Sequence, residues 1–476
     1  MTSASAVRVV SRRTVKPPPR PRERIPLTSW DVAMLSAEYI QKGLLFEAAP
    51  FSSGEEGKKK PLVDHLADAL AEALATYYPV AGRFATEQHR DGCSVSIDCD
   101  GQGVDVIHAV ADGVAIADVI PPGDTNDVPR VVQSFFPLDG AVNYDAHELP
   151  LFAVQVTELR DGVFVGFGYN HALSDGTAFW DLVNFWAQIA RGGVPKANPL
   201  FRRWSPDGGE TPAQPVVLPY ADAAELVERP SPSPPALRER MLHFSAESLA
   251  SLKERARQEL VEAGDASGAA GVTRFQALSS LLWRSITRAR RRMAPDAHTV
   301  CRVAINNRAR LRPPLPHDYF GNSIYAISTE PVRAQDLLLK DRSHGWAAAA
   351  VGRAVAAHTD ADIRARVQAW TANPVVYTQR FFDPNGVMVG SSPRFDMYGC
   401  DFGWGKPLAA RSGRANKFDG KTSLYPGREG GGSIDAEVVL SPEHMELLDQ
   451  DQEFWAAQKG LIIDQTFSTT AHLFSS

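Results

Sequence analysis

The sequence predicts an α/β fold in two domains, and three observations predict it. The chain has 476 residues, too many for one ordinary hydrophobic core. Strand-like apolar runs alternate with helix-period segments in both halves. Between Gly192 and Pro235 prolines crowd the chain, from Pro195 to Pro235, which marks an ordered crossover. The reading is a first domain over residues 1–205, a crossover over 206–238 and a second domain over 239–476.

In the first half, Val7 to Val15 alternates apolar and basic residues, as an edge strand does. From Leu62 onward, Leu66, Ala69, Leu70, Ala73 and Leu74 recur at helical spacing, and Pro79 bars continuation. Gly162 to Tyr169 is a short apolar run that predicts a buried strand. Asp175 to Ala190 follows as a helix with Phe179, Leu182, Val183 and Trp186 on one face. In the second half, Arg240 to Phe244 reads as a strand and Ala246 to Glu259 as a helix. A Gly/Ala-rich loop is expected up to Gly271. Thr273 and Gln276 then form a capping box that opens a helix carrying Phe275, Leu278, Leu281, Leu282 and Ile286 on one side. Strands are expected near Val300 to Ile305, Ser323 to Ser328, Val387 to Gly390 and Ser433 to Leu440.

Composition narrows the function. Hydrophobic residues at 44% and charged residues at 22% are globular proportions. A formal net charge of -6 argues against nucleic acid as a partner. No apolar run reaches membrane-spanning length. The four cysteines, at 93, 99, 301 and 400, form no C-x-x-C pair, so free thiols in a reducing compartment are expected. No secretory h-region is visible. Arg8, Arg12 and Arg13 resemble a transit peptide, but the strand reading fits them better, and Phe474-Ser475-Ser476 is not a peroxisomal address. A cytoplasmic protein is expected.

The string His-x-x-x-Asp occurs at His171/Asp175, His108/Asp112 and His358/Asp362. Twelve histidines and a common acid give about one match by chance, so context decides. After His108 comes Val-Ala-Ile-Ala-Asp-Val-Ile-Pro, with no aromatic helical face; an exposed strand or turn is expected there. His358 precedes Asp360, Asp362, Arg364 and Arg366 and reads as a solvated helix terminus. His171 instead joins a buried strand to an amphipathic helix, where α/β proteins expose reactive groups. The alternative is a hydrogen-bonded structural histidine. A neutral imidazole there can take a proton from a hydroxyl or amine as it attacks a thioester. Asp175, one turn on, can anchor the loop by a salt bridge, with Arg308 or Arg310 as partner, or polarise His171; the anchor is the favoured role.

Other chemistries lack their residues. No Gly-x-Ser-x-Gly elbow exists. Gly420-Lys421-Thr422 resembles the end of a P-loop, but Ala415 stands where its upstream glycine belongs. No zinc motif is seen and no metal is expected. The run Arg288, Arg290, Arg291, Arg292 closes a helix, which compensates its dipole; attraction of a phosphate-bearing ligand is the alternative.

His171-Ala-Leu-Ser-Asp175-Gly176 and, downstream, Asp401-Phe402-Gly403-Trp404-Gly405-Lys406-Pro407 stand in the order and separation seen in one family. The chain resembles the plant BAHD acyltransferases over nearly its whole length. Tyr77-Tyr78-Pro79-Val80-Ala81-Gly82-Arg83, Trp283-Arg284, Tyr319-Phe320-Gly321-Asn322 and Leu27-Thr28-Ser29-Trp30-Asp31 support the resemblance, and Asn143-Tyr144-Asp145 with Leu149-Pro150-Leu151 looks like one branch of it. The resemblance implies two chloramphenicol-acetyltransferase-like domains, mixed sheets flanked by helices, with a channel at their interface. It implies acyl transfer from acyl-CoA, a co-substrate and not a bound cofactor, to a small-molecule alcohol or amine by a monomer, with no membrane partner. The catalytic candidates it carries over are His171 as general base, Asp175 and Asp401; the coenzyme A candidates are Thr273, Arg274, Gly403, Trp404, Gly405 and Lys406. Asp401 is Gly-flanked, which favours a loop anchor over a proton acceptor. Pro393 stands where hydroxycinnamoyl-transferring relatives often carry Trp, which argues against that donor. A CoA-independent lyase on the same fold and a non-catalytic small-molecule-binding protein are the rival readings.

Overall fold

A computed structural model describes residues 7–48, 61–121, 126–206, 215–231, 233–294, 296–339, 342–378, 383–390 and 392–460. Two six-stranded mixed sheets dominate. The first runs in the spatial order Arg8–Val15, Val104–Ala111, Phe152–Leu159, Gly162–Tyr169, Ile40–Glu47 and Ala409–Ser412. The second runs Ile324–Ser328, Cys301–Asn306, Val387–Gly390, Lys421–Pro426, Ile434–Leu440 and Arg238–Phe244. A three-stranded sheet, Arg24–Pro26, Gly92–Asp98 and Arg83–His89, sits beside the first.

The strand Gly162–Tyr169 shows how local sequence builds the frame. All eight of its residues are buried. Phe167 and Tyr169 pack on Phe179 of the helix Gly176–Ala190, with ring centroids 5.8 and 4.8 Å apart. On the other face a Cβ at Gly166 would lie 2.1 Å from the Phe135 carbonyl oxygen, so only glycine lets residues 135–138 cross there. The helix Leu62–Thr76 ends where Tyr78–Ala81 tightens into a 3-10 turn at Pro79.

The second half lends a strand to the first sheet. Ala409–Ser412 comes from the second half yet pairs antiparallel with Ile40–Glu47, Ala409 opposite Leu45 and Ser412 opposite Lys42. The turn before it is the Asp401–Gly405 motif. Asp401 accepts hydrogen bonds from the Gly403 and Gly405 amides at 2.8 and 3.0 Å. Both glycines have φ near +115°, a conformation that penalises any Cβ. Phe402 is fully buried against Trp186 and Phe46, and Trp404 packs on Phe46. The motif thus pins the chain to the first-half core just before it joins that sheet.

Some expectations change. The loop expected before Gly271 contains a short helix, Ala266–Gly271, capped by Asp265. Arg290, one of the run expected to compensate the helix dipole, is buried, because Asp419 and the Gly386 carbonyl meet its guanidinium. Arg288 pairs with Asp451 and Glu453. The four cysteines are buried and free. Among the described residues no helix is long and apolar enough to cross a membrane, and no group of His, Cys, Asp and Glu could hold a metal.

Candidate active site

His171 lies in the turn between the strand Gly162–Tyr169 and the helix Gly176–Ala190. Both of its backbone polar groups are clamped by buried asparagines. Its N–H donates to Asn143 Oδ1 at 2.8 Å, and its carbonyl accepts from Asn322 Nδ2 at 2.7 Å. Asn322 is held in turn by Asp31 Oδ1 at 2.9 Å, and Asn143 by the Met34 carbonyl at 2.8 Å. Asn170 donates to the Asn143 carbonyl and accepts from the Ala172 amide. Three chain segments therefore fix one loop, and leaving any of these buried groups unpaired would cost about 1–3 kcal/mol.

Asp175 is the N-cap of the following helix and is fully buried. Its Oδ1 accepts from the Thr177 and Ala178 amides. Arg308 grips it with two donors at 2.6 and 3.1 Å, and the Ser323 amide adds a third bond at 3.0 Å. Of the two arginines expected as partners, Arg308 makes the pair. Arg310 instead donates to the carbonyls of Val355 and His358. With all these donors on its two oxygens, Asp175 is an anchor that ties the first half to the second.

The His171 ring is half-buried and lines an open channel of about 2830 Å³ between the two sheets. Nδ1 is out of reach of solvent, which leaves Nε2 as the nitrogen open to the channel. Burial pushes the imidazole below its ordinary value; Asp175 opposes this and the charge of Lys421 adds to it. The ring is accordingly neutral at pH 7, the form that accepts a proton.

Thr273 and Arg274 also line the channel, at the N-terminus of the helix Arg274–Ala289, where Thr273 and Gln276 complete the capping box. Asp401, Gly403, Trp404, Gly405 and Lys406 are not among the channel-lining residues. His108 lies mid-strand with its Nε2 on Glu158 at 2.9 Å. His358 corrects an expectation: it caps the helix His344–Ala357 but is buried, not solvated, with Nε2 on Asn307 Oδ1 at 2.8 Å. Segments distant in sequence cover it. Pro393 does face the channel.

Sequence reasoning did not single out Lys42 and Lys421, which both line the channel. Burial pulls Lys42 down to about 7 and Lys421 down to about 8. Lys421 was visible only as part of a failed P-loop match. Lys42 carried no signal, because the strand pairing that surrounds it is not local.

With this geometry in hand, comparison places the chain. A model described as the transferase family matches residues 5–455. An uncharacterized acetyltransferase of Arabidopsis thaliana is 35% identical over 91% of this chain and 94% of its own length. The BAHD acyltransferase DCR of Arabidopsis thaliana is 32% identical over 95% and 93%. The chain belongs to the BAHD acyltransferase family. As a BAHD protein it is an acyltransferase. Its fold is that of vinorine synthase, with TM-score 0.68 at 18% identity over 93% of this chain and 96% of that one. F. sporotrichioides TRI101, solved with coenzyme A and T-2, gives TM-score 0.69 at 18% identity over 91% and 98%. The two-domain α/β architecture expected from sequence is the BAHD architecture.

Proposed function

We propose that this chain transfers an acyl group from a coenzyme A thioester to a hydroxyl or amine of a plant specialised metabolite, with His171 as general base. The observation that carries the reading is an imidazole presenting Nε2 to a channel of about 2830 Å³, on a loop clamped at both backbone groups. As the acceptor oxygen or nitrogen attacks the thioester carbonyl, Nε2 takes its proton. The imidazolium then returns that proton to the departing CoA thiolate. The thioester is already activated, so the steps balance without an enzyme nucleophile.

Thr273 and Arg274 suit the CoA phosphates. A helix N-terminus offers amide donors and a favourable dipole, and Arg274 adds charge beside Gly432. TRI101, solved with coenzyme A, is a precedent on the same fold. Asp175 serves as anchor, and Asp401 as the clasp of its own turn. The reading is of a cytosolic monomer: one chain supplies both walls of the channel, and its four thiols are free. The test is release of free CoA thiol from a panel of acyl-CoAs with pooled plant metabolites. Release that requires both a metabolite and His171 supports the reading. Turnover of a single substrate without any thioester would transfer it to the lyase alternative, and folded protein that binds metabolites without turnover to the binding alternative.

A further inference from the structure

One wall of the channel is a face of the second sheet, and its register tells which side chains share it. Arg302 is paired with Ser328 and Met388, and Met388 with Lys421, so these four form one row across four strands. Side chains alternate along a strand, so Gly390 and Ser423 carry the same face one step further. A Cβ at Gly390 would touch Lys421 Cε and Met388 Cε at 4.0 Å, so the lysine stem lies beside the bare glycine on the channel face. That direction leads toward Asn306, which donates to Thr177 in the first turn of the His171 helix at 3.3 Å.

The ammonium of Lys421 has no carboxylate within ion-pair distance and no hydrogen-bond acceptor among the described residues; its one close partner is the Phe418 ring at 5.6 Å. The nearby acids are engaged elsewhere. Glu437 takes Lys417 at 3.0 Å, Ser412 at 2.5 Å and the Tyr425 hydroxyl at 3.0 Å. Glu239 takes Lys417 at 2.5 Å, and Glu38 takes the Asn416 amide at 2.7 Å. Lys42 enters from the first sheet, lines the channel and donates to the Tyr425 hydroxyl at 2.6 Å. Two half-buried lysines, one on each sheet, thus line the channel, and a charge in that setting is stabilised by a nearby anion.

On the proposed reading the CoA phosphates meet Arg274, at a different station. Arg274 lies against Gly432, just before Ile434, the partner of Pro426 at the far end of the strand Lys421–Pro426. Five residues of strand separate that end from Lys421, roughly 17 Å. We propose that Lys421, with Lys42, forms a subsite for a carboxylate on the acyl acceptor, so that the acceptors of this enzyme are hydroxy or amino acids. The inference rests on the acyl-transfer reading for the word acceptor, but its test does not.

Titration calorimetry on the purified full chain, without acyl-CoA, takes two probes with their methyl esters: 4-hydroxybenzoate and shikimate. An acid binds at least about tenfold tighter than its ester. K421M removes the difference, K421R keeps most of it, and both variants unfold at the wild-type temperature. Equal binding of acid and ester, no acid binding at all, or a preference that survives K421M would each overturn the subsite. A thiol-release arm compares malonyl-CoA with acetyl-CoA. A Lys421-dependent preference for malonyl-CoA with no acid-over-ester preference would assign the lysine to the acyl chain and overturn the acceptor assignment. Thiol release without acid preference leaves acyl transfer standing and the subsite fallen. Lys421-dependent acid binding without thiol release from any donor does the reverse.

Discussion

Two copies of one string, His171–Asp175 and His358–Asp362, are held by the same short stretch of chain. Asn306 bonds Thr177 and Arg308 grips Asp175, while Asn307 accepts from His358 and Arg310 donates to the His358 carbonyl. The outcomes are opposite. His171 follows a strand and opens Nε2 to the channel; His358 ends a helix and spends Nε2 on Asn307. Asp175 is a buried ion pair between domains, whereas Asp362 is exposed and closes the capping box of its own helix with Thr359. The difference teaches that the element preceding the histidine, not the spacing to the aspartate, decides whether an imidazole is free to move a proton.

The sharpest way to break this comparison is to remove each imidazole. His171→Ala should lower kcat by about 10²–10⁴ without moving the unfolding midpoint, while His358→Ala should leave kcat/KM unchanged. Steady-state thiol release measures both, and comparable losses at the two sites would end the distinction.

The aspartates come next. Asp175→Ala strands Arg308 in the interior and should cost about 3–5 kcal/mol in denaturant unfolding; Arg308→Met in the same chain should restore part of it. Asp362→Ala should cost far less. Equal costs would mean that the interdomain pair is not an anchor.

A smaller effect concerns pH. Burial holds His358 down to about 4, so the unfolded chain binds a proton on it between pH 6.5 and about 4 and the folded chain does not. Its stabilising contribution is therefore complete above pH 6.5 and lost as pH falls toward 4. The stability gap between wild type and His358→Asn should shrink over that window, and a gap independent of pH would contradict the burial argument.

The smallest effect sharpens the His171 side. Its pKa is lowered by burial first and by Lys421 as a lesser cause. Removing that positive charge makes protonation easier, so K421M should move the acidic limb of kcat/KM to higher pH by a fraction of a unit, with folding unchanged. A limb that stays in place would mean Lys421 does not act on the base.

Where neighbours in sequence are neighbours in space, the chain was legible. The helix that stops before Pro79, the capping box of Thr273 and Gln276 and the buried strand before His171 are all set within a few residues. The Asp175–Arg308 pair was foreseen only as one of two candidates, because which arginine faces inward depends on the turn at Asn307. The solvated reading of His358 failed because Asn307, Arg310 and Tyr325 cover it from outside its own helices.

The sequence by itself determined the alternation of strands and helices, the family motifs and their order, and the histidine at a strand-to-helix turn. These follow from hydrophobic period and from residues whose backbone limits act locally. Only the tertiary structure decided that Asp401–Gly405 clasps the lent strand and that Lys42 meets Tyr425, 383 positions away. It also decided that Lys421 faces the channel with no carboxylate in ion-pair reach among the described residues. Charge and burial at those positions are sums over both domains, and no window of sequence contains both domains.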